Sequence, residues 1–296
     1  MNKVKVITDS CSDLGKELRD RYDMDYALMS VVWDEKEVPA STDWDLFSIK
    51  DLYDALRGGK RIITQQVGPA EFERVFSKYL EQGMDVVYVA LSSKMSGSYN
   101  AGKAVAKQLM EKYPERQVVC VDSLNSCLGE GLIAIEAAKA ALAGASVADV
   151  AAAAENAKKL AMQFCTVESL EYFRRAGRVK AAAAFFGNLF GIKPIIINRF
   201  GELEAVKKVK GRKNSLDECV DMLVKSIGGV PVEEQTIYVA HADCDKDAEY
   251  LAEAIKARLN PKEIIINPIG PTVGATAGPG AVSLCALGNQ FATLGE

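Results

Sequence analysis

The sequence predicts an α/β protein of two domains. The first, residues 1–163, is expected to have a mainly parallel, Rossmann-like sheet, and the second, residues 164–296, a mixed sheet with an antiparallel hairpin. Three observations predict this class. The 296 residues suit two domains of about 100–200 residues each. The first half alternates short apolar runs with helical segments, and this rhythm changes near residue 163.

The first half repeats a unit of strand, polar turn and helix. The apolar runs VKVIT, DVVYVAL and QVVCV are each followed by a polar turn and a segment with helical spacing. Such β-α units place their strands side by side in one direction, which predicts a parallel sheet. In sheets of this kind ligands bind at the carboxyl ends of the strands.

The second half begins with a strand, MQFCTV, and a short helix, ESLEYFRRAGR, which Gly177 can end as a left-handed cap. Two apolar runs then flank Phe200-Gly201, which predicts an antiparallel hairpin. Two further strands, TIYVAHADC and EIIINPIG, surround a helix. The segment IGPTVGATAGPG is expected to form a Gly-rich loop, and the last ~20 residues to pack back on the first domain.

Charge and composition exclude several classes of function. The formal net charge is −4, so no basic field recruits nucleic acid, although the cluster KKVKGRK alone would suit a nucleic-acid-binding regulator. The chain lacks the phosphate-binding patterns GxxxxGK[ST] and GxGxxG, so we expect no ATP binding by the chain itself. His241 is the single histidine and leaves little material for a His-based metal site or catalytic triad, and we expect no metal and no cofactor.

The expected location is the cytoplasm. The chain opens without a secretory pattern, and its seven cysteines have no CxxC spacing, so we expect reduced thiols. The alanine-rich run 137–154 is interrupted by charges and predicts two helices with a cap at Ser146, not a stable membrane insertion.

Three turns of the first half, TDSCSD, SSKMSGS and DSLNS, place hydroxyl residues between a strand and a helix. Simple helix capping explains each turn taken alone. The second turn is the most suggestive of a binding site, because Ser96 and Gly97 combine hydroxyls with an open backbone at a helix start. Thr64 belongs either to a surface loop or to a polar lip beside a pocket.

The stretch AAAAFFGNLFGI contains Phe185, Phe186 and Phe190, which suit either the core or the wall of an elongated apolar cavity. The basic cluster FRRAGRVK contains Arg178 and is either a solvated face or a surface for an acidic partner. His241 ends a strand, where a structural role is more common than a catalytic one.

Taken in order, these motifs resemble the DegV family over the whole chain. The matching segments are VKVITDSCSDL, SSKMSGSYNAG, VVCVDSLNSCLGEGL, ESLEYFRRAGRV, HADC and IGPTVGATAGPGAV. The resemblance implies two α/β domains with a long-chain fatty acid in a tunnel between them. It also implies that some members act as the carrier subunit of a bacterial fatty acid kinase.

The resemblance further implies roles for individual residues. Thr64 and Ser96 match the family's hydroxyl residues at the carboxylate, with Gly97 beside them, and Thr276 stands where the family usually has histidine. Arg178 matches an arginine that engages the kinase. Two further departures are Gln65 and Val67, in place of the family's serine and proline.

Two functions remain open at this point. The leading hypothesis is a non-catalytic, cytoplasmic fatty-acid-binding protein that presents its ligand to an ATP-dependent kinase subunit. The alternative is a stand-alone acyl or phosphoryl transferase with Ser96 as nucleophile, which requires a base that the sequence around Ser96 does not supply.

Overall fold

The computed structural model describes residues 4–180 and 191–289. The strands are β1 (Val4–Asp9), β2 (Met24–Ala27), β3 (Ser30–Trp33), β4 (Lys36–Pro39), β5 (Ile63–Gln65), β6 (Asp85–Ala90), β7 (Val118–Asp122), β8 (Ala161–Thr166), β9 (Val179–Lys180), β10 (Ile192–Arg199), β11 (Glu202–Lys210), β12 (Thr236–His241), β13 (Glu263–Pro268) and β14 (Val282–Leu287). The helices are α1 (Lys16–Arg21), α2 (Ile49–Arg57), α3 (Pro69–Leu80), α4 (Ser98–Lys112), α5 (Cys127–Leu142), α6 (Val147–Leu160), α7 (Glu171–Ala176), α8 (Arg212–Ser226), α9 (Asp245–Leu259) and α10 (Pro271–Ala277).

The first sheet has four parallel strands in the order β2-β1-β6-β7. Strands β1, β6 and β7 are the three runs on which the sequence prediction rested. Each is followed by a turn and a helical segment, so the prediction of a parallel first sheet is confirmed. The carboxyl ends of β1 and β6 lead into the turns that contain Cys11 and Ser96.

The second sheet has seven strands in the order β13-β12-β14-β8-β10-β11-β9 and mixes parallel with antiparallel pairs. Strands β10 and β11 form the predicted hairpin. Phe200 and Gly201 have φ values of 50° and 92°, and a two-residue turn with positive φ at both positions matches the twist of a hairpin. The predicted mixed sheet is therefore confirmed.

Helix α5 lies between the two sheets and contacts β1 and β6 on one side and β8, β12 and β14 on the other. Most of its side chains are buried, which explains why its sequence is largely apolar and rich in alanine. Helices α3 and α4 cover the outer face of the first sheet, and α8 and α9 cover the outer face of the second. Within the described ranges, no helix has the length and apolar character needed to cross a bilayer.

A third, three-stranded antiparallel sheet in the order β4-β3-β5 was not predicted from the sequence. It pairs Thr64 with Val31, whose side chain is fully buried. Because β5 has only three residues and is largely exposed, its sequence gives no clear alternation of apolar and polar positions. The pairing fixes the position of Thr64 beside the core.

The prediction of a Gly-rich loop near the C-terminal end was wrong, because Pro271–Ala277 form the helix α10. Pro271 occupies the first helical position, where its missing N–H costs nothing, and Gly278 ends the helix with a φ of 81°. Gly274 lowers helix propensity but is required, since a Cβ there would lie 2.5 Å from the Tyr53 hydroxyl. Tertiary packing thus overrides the local signal for a loop.

The boundary predicted at residue 163 falls inside β8, a strand of the seven-stranded sheet that begins at Ala161. The division of the chain into two domains at that point, and the packing of the last ~20 residues on the first, stay predictions. The element that follows α10 is β14, which lies between β12 and β8 in the second sheet.

Candidate functional site

A cavity of about 170 Å³ lies where the strand-to-helix turns of the first half meet β8, β14 and α10. Its apolar lining includes Met29, Leu91, Met95, Val167, Phe173, Leu203, Ile269, Val273 and Val282. Its polar lining is formed by Thr64, Gln66, Ser96, Gly97, Ser126, Gln163, Arg178, Thr272, Thr276 and Ser283. The structure therefore brings Thr64, Ser96, Gly97, Thr276 and Arg178 to one cavity, although they are spread over the whole chain.

Ser96 and Gly97 lie directly before α4. The Ser96 hydroxyl is 3.0 Å from that of Ser98 and accepts a hydrogen bond from the Ser98 backbone N–H at 3.2 Å. Gly97 offers no side-chain cap, so the positive end of a fifteen-residue helix opens toward the cavity. A Cβ at Gly97 would lie 2.1 Å from Gln66 Oε1, so glycine lets the Gln66 side chain approach this backbone.

Thr64 and Gln66 line the cavity from β5 and the residue that follows it, whereas the Gln65 side chain bonds to Ser30 on the opposite side. Sequence reasoning named Thr64 but not Gln66, although the two-residue period of a strand places both on one face. The Val67 N–H donates to Ser98 Oγ at 3.2 Å, a bond that a proline at this position could not make. The departures at Gln65 and Val67 therefore leave the cavity face of this segment intact.

Thr272 and Thr276 lie one turn apart on the cavity side of α10. Thr276 Oγ1 donates to the Thr272 carbonyl at 3.2 Å and keeps its lone pairs for another donor. Thr272 is 4% exposed, and within the described residues its Oγ1 has no hydrogen-bond partner. Sequence reasoning missed Thr272, because the helical spacing that pairs it with Thr276 was interpreted as a loop.

Arg178 is exposed at the rim of the cavity, where its Nε donates to the Met95 carbonyl at 2.9 Å. A second recess of about 160 Å³ adjoins the cavity and shares Thr64, Arg178 and Thr276 with it. Among the described residues, this outer recess also contains Lys60, Arg61 and Arg175 and no acidic residue. Lys60 pairs with Asp34 and Arg175 with Glu171, so cationic side chains line the mouth and these two counter-charges lie outside it.

Three carboxyl groups are completely buried beneath the site: Asp9, Asp13 and Glu130. Asp13 Oδ1 accepts a hydrogen bond from Gly270 N at 2.9 Å, which ties the start of α10 to the first half of the chain. Burial raises the pKa of Asp13 to about 7. Burial also raises the pKa of Asp9 and Glu130, and the Asp9 charge raises that of Glu130 further.

The thiols beside the cavity are poor nucleophiles. Cys11, Cys127 and Cys165 line it, and burial raises the pKa of each, which keeps the unreactive protonated form. His241 ends β12, lies outside the cavity lining, and has a pKa lowered by burial. Within the described residues, Ser96 Oγ bonds to Ser98 and to no base, so the geometry offers nothing to activate Ser96 as a nucleophile.

The three phenylalanines predicted to line the tunnel, Phe185, Phe186 and Phe190, lie outside the described residues. Their role stays a prediction. Among the described residues the aromatic member of the cavity wall is Phe173, from α7.

Comparison with known proteins gives one consistent family. The family model described as "Uncharacterised protein, DegV family" matches residues 3–289. A DegV domain-containing protein of Clostridium perfringens is 37% identical over 290 residues, which cover 98% of this chain and 99% of that protein.

Two solved structures match the fold over nearly the full length. A DegV lipid-binding protein from Thermotoga maritima has a TM-score of 0.86 at 26% identity. The alignment covers 97% of this chain and 98% of the Thermotoga chain. A DegV family protein from Thermus thermophilus, described by its fatty acid binding, has a TM-score of 0.85 at 25% identity, with coverages of 97% and 99%.

Proposed function

The chain belongs to the DegV family, and we propose that it binds one long-chain fatty acid in the cavity between the first sheet's turns and α10. The observation that supports this most is the distribution of its lining. Hydroxyl groups from three separate parts of the chain, Thr64, Ser96 and Thr276, line one cavity, while much of the remaining wall is aliphatic or aromatic. An amphiphile with one small polar end fits this arrangement.

Ser96, Thr64 and Thr276 hold the carboxylate in this proposal, with the backbone of Gly97 and the start of α4 as further donors. To bind the carboxylate, the Thr276 hydroxyl rotates its hydrogen away from the Thr272 carbonyl, and, unlike the histidine that the family resemblance implies at this position, it does not titrate near neutral pH. Gln66 adds an amide donor on the same side.

The tail provides most of the affinity. Burying a chain of about 16 carbons at ~0.8 kcal/mol per CH₂ is worth on the order of 11–12 kcal/mol before the costs of binding. A hydrogen bond to a charged carboxylate contributes only about 1.5–3 kcal/mol. The hydroxyl residues therefore determine the orientation of the ligand and the choice of head group more than its overall affinity.

The basic outer recess supports a further step, in which a fatty acid kinase subunit docks at the mouth and phosphorylates the carboxylate with ATP. Arg178 lies at the rim, is exposed, and adjoins Met95 and Ser96, so a partner can contact it without entering the cavity. In this role the protein works in the cytoplasm as a non-catalytic carrier.

The test is the lipid content of the purified protein. Native mass spectrometry should show one bound molecule, and organic extraction should identify it as a long-chain fatty acid. Protein without lipid that also fails to take up a fluorescent fatty acid would contradict the proposal. Acyl phosphate formation with an added kinase subunit and ATP tests the carrier role separately.

A further inference from the structure

The cavity has a second polar region, on the face of the second sheet that β8 and β14 present to it. Strands β8 and β14 pair antiparallel, with Cys165 opposite Ser283 and Gln163 opposite Cys285. Gln163, Cys165 and Ser283 line the cavity, while the alternate residues, such as Phe164, pack into the apolar core on the other side of the sheet. Gln163 and Ser283 are only 2% and 3% exposed.

These side chains form a connected polar group. Gln163 Nε2 donates to Ser283 Oγ at 3.2 Å, and Cys165 Sγ donates to the same oxygen at 3.2 Å. Both lone pairs of the Ser283 hydroxyl are then in use, and among the described residues its hydrogen faces a weak acceptor, Cys285 Sγ at 3.6 Å. Ser283 can therefore donate a full hydrogen bond to an oxygen in the cavity.

A hydroxyl from the first half of the chain lines the same cavity. Ser126 precedes α5, is 7% exposed, and makes no capping hydrogen bond with that helix. A hydroxyl that an acyl tail covers without a hydrogen bond costs about 1–3 kcal/mol, so a wall that faces only a tail is expected to carry apolar residues at such positions.

This second polar region is separate from the mouth. The outer recess shares Thr64, Arg178 and Thr276 with the cavity but none of Ser126, Gln163 and Ser283. In the proposed binding mode the carboxylate lies on the side of Thr64 and Thr276, beside the mouth, and the acyl chain extends inward toward Ser126, Gln163 and Ser283.

We propose that Ser126, Gln163 and Ser283 recognise an oxygen substituent on the acyl chain, so that the preferred ligands are hydroxy or keto fatty acids. The inference rests on the proposed fatty acid binding and specifies its substrate class. A plain saturated chain leaves these groups facing methylenes, whereas a chain hydroxyl accepts from Ser283 and donates to an oxygen of the same cluster.

The experiment compares the affinity of the delipidated full-length protein for stearic acid and for monohydroxystearic acids with the hydroxyl at successive chain positions. At least one isomer should bind about three- to tenfold more tightly than stearic acid, which is the range expected for one net hydrogen bond. In Ser283→Ala and Gln163→Leu this isomer should lose its advantage, while stearic acid binds as well as before or better.

Ser226→Ala is the matched control, because it removes a hydroxyl of 2% exposure on α8 that does not line the cavity. It should leave the preference unchanged. Circular dichroism verifies that each variant is folded. Ser126→Ala tests the same preference from the opposite wall of the cavity. If the wild type binds stearic acid as tightly as every hydroxy isomer, the inference is overturned and the proposed function stands. Failure of all the acids to bind would overturn both.

Discussion

Asp13 offers a sharp test of how the site is built. Its carboxyl group is fully buried, accepts a hydrogen bond from Gly270 N at 2.9 Å, and has its second oxygen, Oδ2, without a hydrogen-bond partner among the described residues. Burial raises its pKa from the ordinary value of 3.8 to about 7. The perturbation is Asp13→Asn, which keeps an oxygen for Gly270 and removes the ionisation.

The direction in which stability changes with pH follows from proton binding. Because the pKa in the folded state lies above that in the unfolded state, the folded protein binds more protons between pH 3.8 and about 7. The stability from Asp13 is fully present below its ordinary pKa and is lost as the pH rises through about 7. The whole shift corresponds to about 4 kcal/mol, of which about 2–3 kcal/mol falls between roughly pH 5 and 7.

The assay is urea unfolding of the wild type and the variant at several pH values across this window. We expect the wild type to lose about 2–3 kcal/mol relative to Asp13→Asn as the pH rises, on top of a constant difference for the new amide. The Asp13 charge also raises the pKa of Glu130, so the pH-dependent difference between the two proteins measures Asp13 together with its coupling to Glu130.

Asp51→Asn is a control whose effect on stability should depend on pH in the opposite direction. The Asp51 carboxylate belongs to the capping box of α2, and hydrogen bonds from Ser48 lower its pKa, so its contribution is lost as the pH falls. A difference between the wild type and Asp13→Asn that stays constant from roughly pH 5 to 8 would refute the description of Asp13 as a buried acid whose pKa is raised to about 7.

Three further predictions concern the ligand. Ser96→Ala should weaken fatty acid binding by a few kcal/mol at most and narrow the preference for the fatty acid over the fatty alcohol of equal length. Calorimetry with both ligands measures this preference, and an unchanged value would contradict the assignment of Ser96 to the carboxylate. Arg178→Ala should leave fatty acid affinity within about fivefold, as for an exposed ionic contact, yet abolish phosphorylation by a kinase subunit; loss of lipid binding would instead place the guanidinium on the ligand. Thr276→His should make fatty acid affinity change near pH ~6.5, as measured by binding titrations at several pH values. An affinity that does not vary with pH in this variant would show that residue 276 does not contact the head group.

Several features could be predicted from short stretches of sequence, because their causes are local. The parallel sheet follows from the spacing of apolar runs, and the hairpin follows from the turn at Phe200-Gly201, in which the glycine adopts positive φ without steric cost. Gly177 ends α7 in the left-handed conformation for the same kind of reason. The order of motifs also predicted the family, which the family model and the sequence relatives confirm.

The features that were missed depend on contacts between distant residues. Residues 271–277 read as a loop in isolation, yet they form a helix whose Gly274 packs against Tyr53 and whose start is held by Asp13. Gln66 was not singled out, because its role depends on the approach of its side chain to Gly97 across two elements.

The sequence by itself therefore determined the α/β class, the family and the placement of Thr64, Ser96, Gly97 and Thr276 among the site candidates. Only the tertiary structure decided that Asp13 meets Gly270, 257 positions away, and that Gln163 meets Ser283, 120 positions away. The physical reason is that hydrophobic periodicity and turn chemistry act between neighbours in the chain. Burial of a carboxyl or an amide, and the pKa or the hydrogen bonds that follow from it, is fixed by whatever the completed fold packs around it.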